Sequence, residues 1–546
     1  SNYNSEKANN SKSYTEKTIT TRLDNFGESI ESHGDSIDLF ISLAHDFPKH
    51  NQTAHFLVVR SIDVAFAKLP LKKSQTALSK PKVVFTQLRI QNFKSWADTG
   101  EFRMAPLTGF FGTNSSGKTA ILQFLLMLKQ TVESSDRQRI LHLGGDQYSY
   151  VDLGTIYDII HRHQLPEKIE FSFSWKPIPI KDGTVVFSGL TIFSESDQDA
   201  SSFYDENVLI LPPLNFESEI GFDVDKIVVN FLKYSYNRKD GQEIFCGIKA
   251  LEIENGDSDY QFFSWIDNPD KSHSFKLFKN YGLKYIPEPG ELNISDPNGS
   301  IYSRSYENLF QNTYYLGPLR DYPKRIYLWS GEQPQNVGNI GELAIPALLA
   351  SRKKNPEVEI SVAKALKELG LIDSFRLNAI SVDRGYSEVL VKKSTNSAEV
   401  LITDVGFGVS QVLPILVLCY YIPKGATLIL EQPEIHLHPS VQAGLADVFI
   451  DVIKTRNLQI IIESHSEHLL RRLQRRIAEE KDGFTNKDTA LYFCKMDEQG
   501  DSELVPLEID PYGNICNYPD DFFGDEMGDI FAMNKAAIKR QMNTGS

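Results

Sequence analysis

Residues 112–119 read GTNSSGKT, a complete match to the pattern GxxxxGK[ST]. The run before it, Leu107 to Phe111, is apolar and of strand length, and the run after it, AILQFLLMLK, has the apolar content of a packed helix. Strand, glycine loop and helix follow in the order in which a phosphate cradle is built. Gly112 and Gly117 let the loop fold so that its N–H groups face phosphate oxygens, and the helix dipole favours their charge. Asn114, Ser115 and Ser116 complete the loop, Lys118 is expected to reach the β- and γ-phosphates, and the Thr119 hydroxyl to ligate Mg²⁺. ATP with Mg²⁺ is therefore the expected ligand. Context as well as letters favours this over a bland glycine-rich loop.

A second acid for the metal is sought on another strand. Residues 426–439, ATLILEQPEIHLHP, give an apolar run ending at Glu431, the Walker B position, with a surface acid at a strand end as the alternative. The next residue is Gln432, where a second acid is usual. An amide orients water but cannot take its proton, so slow turnover is expected. Glu434 is the rival base, although the Pro433 turn is expected to point it away. The run LQIIIES delivers Ser464 and His465 to the same edge, where His465 either meets the γ-phosphate and its water or sits as a satisfied core histidine. Residues 404–411, DVGFGVSQ, precede an apolar helix and are expected to expose Ser410 and backbone amides, unless they are only a glycine-rich turn. His436 and His438 invite a metal reading, but without a cysteine or a third ligand nearby the loop reading is preferred. Arg471, Arg472, Arg475 and Arg476 read as a solvated helix face, with a nucleic-acid or partner patch as the alternative.

The 546 residues exceed one hydrophobic core and imply two to four compact units. With 41% apolar and 24% charged residues and a mean hydropathy of −0.30, the chain reads as a soluble α/β protein. Neither a membrane-spanning apolar run nor a secretory leader is visible, and the four scattered cysteines suggest no zinc site or disulfide framework, so a cytoplasmic location is expected. The formal charge of −15 gives no general attraction to nucleic acid. Residues 1–82 read as a small N-terminal appendage and linker, 83–503 as the main unit and 504–546 as a tail. Within 83–503, the phosphate-loop lobe spans 83–154, a β-rich and helical insertion 155–400, and the second acid lobe 401–503. Val84, Thr86, Leu88 and Ile90 alternate as a half-buried strand should. Two helices are expected within 345–372, and no heptad run long enough for a coiled-coil arm separates residues 119 and 404. In the tail, Phe522, Phe523, Ile530, Phe531 and Met533 are apolar groups among acids, suited to partner docking or to core packing.

The order LRIQNFKSW, GTNSSGKT, DVGFGVSQVLPIL, LILEQPEIHLHP, IIIESHSEHLL resembles the ABC-type ATPases of the SMC, RecF and OLD class, within them the AAA family ATPases that end in a DUF3696 region. YYLGPLRDYPKRIYLWSGE (314–332) and VPLEIDPYGNICNYPDDFF (505–523) resemble that subgroup too, and the likeness spans roughly residues 83–525. It is closest to the ATPase subunits of the Septu antiphage systems, including those that accompany retrons. The resemblance implies an ABC-type head with a β-rich lobe and a parallel-sheet P-loop lobe. It makes Lys118 and Thr119 the Walker A residues, Glu431 the Walker B acid, Ser410 the signature serine acting on a second subunit's ATP, His465 the switch histidine and Gln147 a Q-loop residue. It further implies a homodimer or higher oligomer through the heads, an HNH nuclease partner and, in retron forms, a reverse transcriptase and msDNA. A RecF- or SMC-like repair ATPase acting directly on DNA is the competing expectation. A stand-alone nuclease lacks its metal cluster or HNH motif here, and a transporter ATPase lacks the long insertion.

Overall fold

The computed structural model describes residues from 84 onward, apart from 178–203, 265–273, 276–297, 523–530, 541–546 and several shorter stretches. The expected appendage at 1–82 lies outside the described residues. In chain order the main elements begin with β1 (Phe85–Phe93), β2 (Leu107–Gly112), α1 (Lys118–Glu133), β3 (Ile169–Trp175), β4 (Leu214–Asp223), β5 (Lys226–Asn237), β6 (Glu243–Leu251) and β7 (Asp259–Ser264). They continue with α2 (Asn298–Gln311), β8 (Thr313–Leu316), α3 (Ala344–Lys354), α4 (Glu357–Glu368), β9 (Ser374–Ser381), β10 (Tyr386–Lys392) and α5 (Gly408–Tyr421). The last are β11 (Thr427–Glu431), α6 (Pro439–Arg456), β12 (Gln459–Glu463), α7 (Glu467–Ala478), β13 (Thr489–Met496) and β14 (Ser502–Pro506).

One sheet runs β8-β11-β12-β2-β13-β14, all parallel except the edge strand β14. Strands covered on both faces read as continuous apolar runs, which is how Leu107–Gly112 and Thr427–Glu431 look. Alternate residues feed opposite cores: Phe111, Leu428, Leu430, Ile460 and Ile462 pack on the side of α5, α6 and α7, and Phe110, Ile429 and Ile461 on the side of α1. The second sheet is antiparallel, β7-β6-β5-β4-β3-β1, flanked by short strands, and it carries the β-rich insertion. In β1, Leu88 and Ile90 are buried as expected, but a bulge between Phe85 and Gln87 shifts the alternation, so Val84 and Phe85 are both inside.

The two sheets are tied by Gln459, which is fully buried at the start of β12. Its Nε2 donates to the carbonyls of Phe85 and Ala105, and its Oε1 accepts from the Phe85 N–H at 2.9 Å. Helices α3 and α4, expected from the sequence, break at Asn355-Pro356 and pack on α5 through Leu348, Val362 and Leu366. The longest helix among the described residues is α6, 18 residues, and none is long and apolar enough to cross a membrane. The expected tail boundary after residue 503 falls inside β14, which adds Leu504 and Val505 to the P-loop sheet. Phe522 is core: its ring meets Phe111 and Phe493 edge-on. Phe531 and Met533 stand exposed on a helical stretch, while Phe523 and Ile530 lie outside the described residues.

Candidate functional site

The loop between β2 and α1 takes a path only glycine permits. Gly112 has φ +134°, and a Cβ there would lie 2.0 Å from the Cys494 carbonyl oxygen on β13. Gly117 has φ +88°, and its Cβ would meet Ser502 Oγ and the Trp96 indole nitrogen, which donates to the Gly117 carbonyl at 3.0 Å. Both glycines are therefore set by the walls behind the loop as well as by the loop. Asn114 and Ser115 form its exposed tip, and Ser116 Oγ donates to the Thr113 carbonyl. Lys118 is buried, its ammonium donating to the Gly112 and Thr113 carbonyls; burial lowers its pKa. Those bonds hold the charge inside the cradle, where a phosphate would exchange with them.

The sheet's parallel register puts Glu431 and Glu463 side by side at the ends of β11 and β12. The Thr119 hydroxyl donates to Glu463 Oε1 at 2.9 Å. Glu431 faces the other way along the edge, its Oε2 accepting from the Tyr315 hydroxyl at 2.7 Å. The sequence reading passed over Glu463 as the last residue of an apolar strand. Its signal was an acid in the same place as Glu431, closing an apolar run one residue before Ser464. Burial pushes the Glu463 carboxyl up to about 7 against the bond from Thr119, with the charge of Glu431 adding to the rise. Burial also raises Glu431.

Gln432 sits at φ +44° in the tight exit from β11, its N–H bonded to the Glu463 carbonyl at 2.9 Å. Its side chain is half-buried next to the Glu463 carboxylate. The turn at Pro433 does the opposite of what the sequence suggested. It folds Glu434 inward, 6% exposed, where Oε1 accepts the His465 N–H at 2.6 Å and Oε2 has no partner. Burial raises this carboxyl too. His465 is exposed, near Lys118 and the Gly112 backbone; partial burial and the Lys118 charge lower its pKa.

The expected exposure of Ser410 is a further correction. It lies in the first turn of α5 but is 7% exposed, and its hydroxyl donates to the Phe407 carbonyl at 2.7 Å, closing the turn within its own chain. The group DVGFGVSQ does expose is Phe407, whose ring meets Tyr322 and His436. Gln147 is exposed on a turn and takes part in none of the hydrogen bonds that build this edge. Tyr315, on β8, bonds Glu431, and Arg320, in the loop after it, lies near the acids; neither was singled out in the sequence. His438 Nδ1 accepts the Ser440 N–H and caps α6, which is the loop reading of the HLH stretch. The four arginines of α7 are engaged: Arg472 and Arg476 with Asp447, Arg471 with Glu467 and Arg475 with Glu479. That answers to the solvated-face reading.

Among the described residues no three metal-binding side chains converge on one point, so an all-protein metal cage is not what the site offers. Mg²⁺ does not need one, since it binds through one or two protein oxygens plus phosphate. The Thr119 hydroxyl and the carboxylates of Glu463 and Glu431 are hard oxygen donors on neighbouring strand ends, and Glu463 Oε2 is buried without a hydrogen-bond partner. The residues fit Mg²⁺ held with a nucleotide.

A P-loop on a parallel sheet, carboxylates at the ends of neighbouring strands and a separate antiparallel lobe define an α/β head with the parts of a nucleotide-binding site. Residues 338–470 match the family described as AAA ATPase domain, and residues 485–533 match the one described as protein of unknown function DUF3696. No curated protein matches the chain. Among solved structures, an SMC head bound to the C-terminal winged-helix domain of ScpA is similar at 11% identity and TM-score 0.39, over 78% of this chain and 98% of that one. The SMC head domain from Thermotoga maritima gives 11% identity and TM-score 0.32, over 78% and 100%. A Pyrococcus furiosus Smc head with an extended coiled coil, bound to the C-terminal domain of ScpA, gives 11% and 0.36, over 78% and 96%. At these scores the likeness adds nothing to the geometry above.

Proposed function

We propose that this chain binds Mg²⁺·ATP in the loop 112–119, closes on it against a second copy of itself, and turns it over slowly while holding or gating an HNH nuclease in antiphage defence. The observation that carries the nucleotide reading is the Thr119–Glu463 bond, which joins the phosphate loop to the acid edge in one constellation. Lys118 and the loop N–H groups hold the phosphates; Thr119, Glu463 and Glu431 hold the cation, whose charge offsets that of the phosphates. Slow turnover is supported by Gln432, whose neutral amide cannot take a proton from water. With Glu463 given to the cation, Glu434 Oε2, also buried without a hydrogen-bond partner, is left to accept a proton.

The defence role is supported by the DUF3696 match and by the motif resemblance to Septu ATPase subunits, retron-associated forms included. Those forms would add a reverse transcriptase and msDNA as partners. Direct action on DNA has less support, because the α7 arginines are paired with acids and the chain is acidic. Calorimetry with Lys118→Ala tests the nucleotide reading: ATP affinity should fall about 10- to 100-fold, as expected for loss of a charged hydrogen-bond donor. Unchanged affinity would refute it. Copurification from the native operon tests the partner: an HNH nuclease should come with the ATPase, and DNA bound to the ATPase alone would favour the repair reading.

A further inference from the structure

Arg320 stands in the loop leaving β8, on the edge that carries Glu431, and is 9% exposed. A guanidinium so deeply buried normally has its N–H groups bonded. Here Nη1 makes one long bond, 3.4 Å to the Leu319 carbonyl, and Nε and Nη2 have none. Nε and Nη2 form one side of the planar fork, the side that meets a carboxylate or a phosphoryl group with two parallel bonds. The charges acting on Arg320 come from Glu431 and Glu434, with the Tyr315 hydroxyl alongside. Neither carboxylate takes a bond from it: Glu431 Oε2 is held by Tyr315, and Glu434 Oε2 is itself unpartnered.

The charge balance of the edge points the same way. Glu431, Glu434 and Glu463 all face it, and on the loop side the cation is Lys118. A terminal phosphoryl group arriving there adds negative charge to three carboxylates. A second fixed cation with two open donors is what such a group needs, whereas a nucleotide lacking it would leave Arg320 as it is.

We propose that Arg320 reads the γ-phosphate: its free Nε–Nη2 side bonds the terminal phosphoryl group of the nucleotide held by Lys118, and so distinguishes ATP from ADP. This rests on the nucleotide reading above and names the residue that makes the site sensitive to nucleotide state. The competing role is structural, with Arg320 serving only to offset the buried acids through bridging water.

Titration of Mg²⁺·ATP and Mg²⁺·ADP into wild type, Arg320→Gln, Arg320→Lys and Lys118→Ala separates these. Arg320→Gln should weaken ATP about 10- to 100-fold while changing ADP less than about twofold. Arg320→Lys, which keeps the charge and loses the fork, should fall between. Equal losses for ATP and ADP, or no loss of ATP, overturns the proposal in favour of the structural role. Should Arg320→Gln not fold, the ATP-to-ADP ratio of Arg320→Lys decides by the same rule. Failure of the underlying reading looks different: wild type then binds neither nucleotide, Lys118→Ala matches it, and the proposal falls with it.

Discussion

The Thr119 hydroxyl donates to Glu463 Oε1 at 2.9 Å, so the first turn of α1 is fastened to the end of β12 by a carboxyl whose pKa burial has pushed up to about 7. Folding thus favours the protonated form relative to the ordinary value of 4.5. For a group raised in this way, the contribution to stability is complete below the unfolded value and is lost as pH rises through 7. Glu463→Gln removes that dependence. Without metal or nucleotide, the variant's melting temperature should gain on wild type between pH 5 and pH 8, with the difference corresponding to about 3 kcal/mol at most. A gap that stays constant with pH would show that Glu463 does not titrate in this range.

Proton transfer during hydrolysis should depend on Glu434. It has the free carboxylate oxygen, a raised pKa and a position fixed by the His465 N–H. Glu434→Gln should lower steady-state turnover by about 10²- to 10⁴-fold. Gln432→Ala should change it far less. Comparable losses in both variants would return a water-positioning role to Gln432.

Gln459 is a test of the fold. Gln459→Leu leaves the Phe85 N–H and the carbonyls of Phe85 and Ala105 buried without that partner. The cost should be about 3 kcal/mol or more, seen as a lower denaturation midpoint with ATP affinity of the folded fraction retained. A midpoint equal to wild type would mean that the two sheets do not depend on this link.

Partner docking at the tail is tested by deleting residues 526–546, which spares the buried Phe522. ATP binding should persist and copurification of the nuclease should be lost. A retained nuclease would place its contact elsewhere on the chain.

The phosphate loop was legible because its chemistry is local: two glycines, a lysine and a hydroxyl within eight residues. The parallel strands were legible because burial on both faces makes them uniformly apolar. Glu463, Tyr315 and Arg320 were not, because only strand pairing brings residues 315, 320, 431 and 463 to one edge. Glu434 and Ser410 were misread for another reason. The φ of +44° at Gln432 and the inward hydroxyl of Ser410 are conformations the local letters do not specify. Gln147 was assigned by resemblance alone, and it stands exposed on a turn.

Strand β2 has a consequence for how the chain is made. Its two neighbours, β12 and β13, are translated more than 350 residues later, as the pairings of Leu107 with Ile460 and Thr489 show. A nascent chain therefore carries its phosphate loop on a strand with neither lateral neighbour until those later strands have left the ribosome. The Cys494 carbonyl that backs Gly112 and the Ser502 hydroxyl that backs Gly117 arrive later still. A chain that stops before Cys494 and Ser502 lacks the wall that shapes the loop.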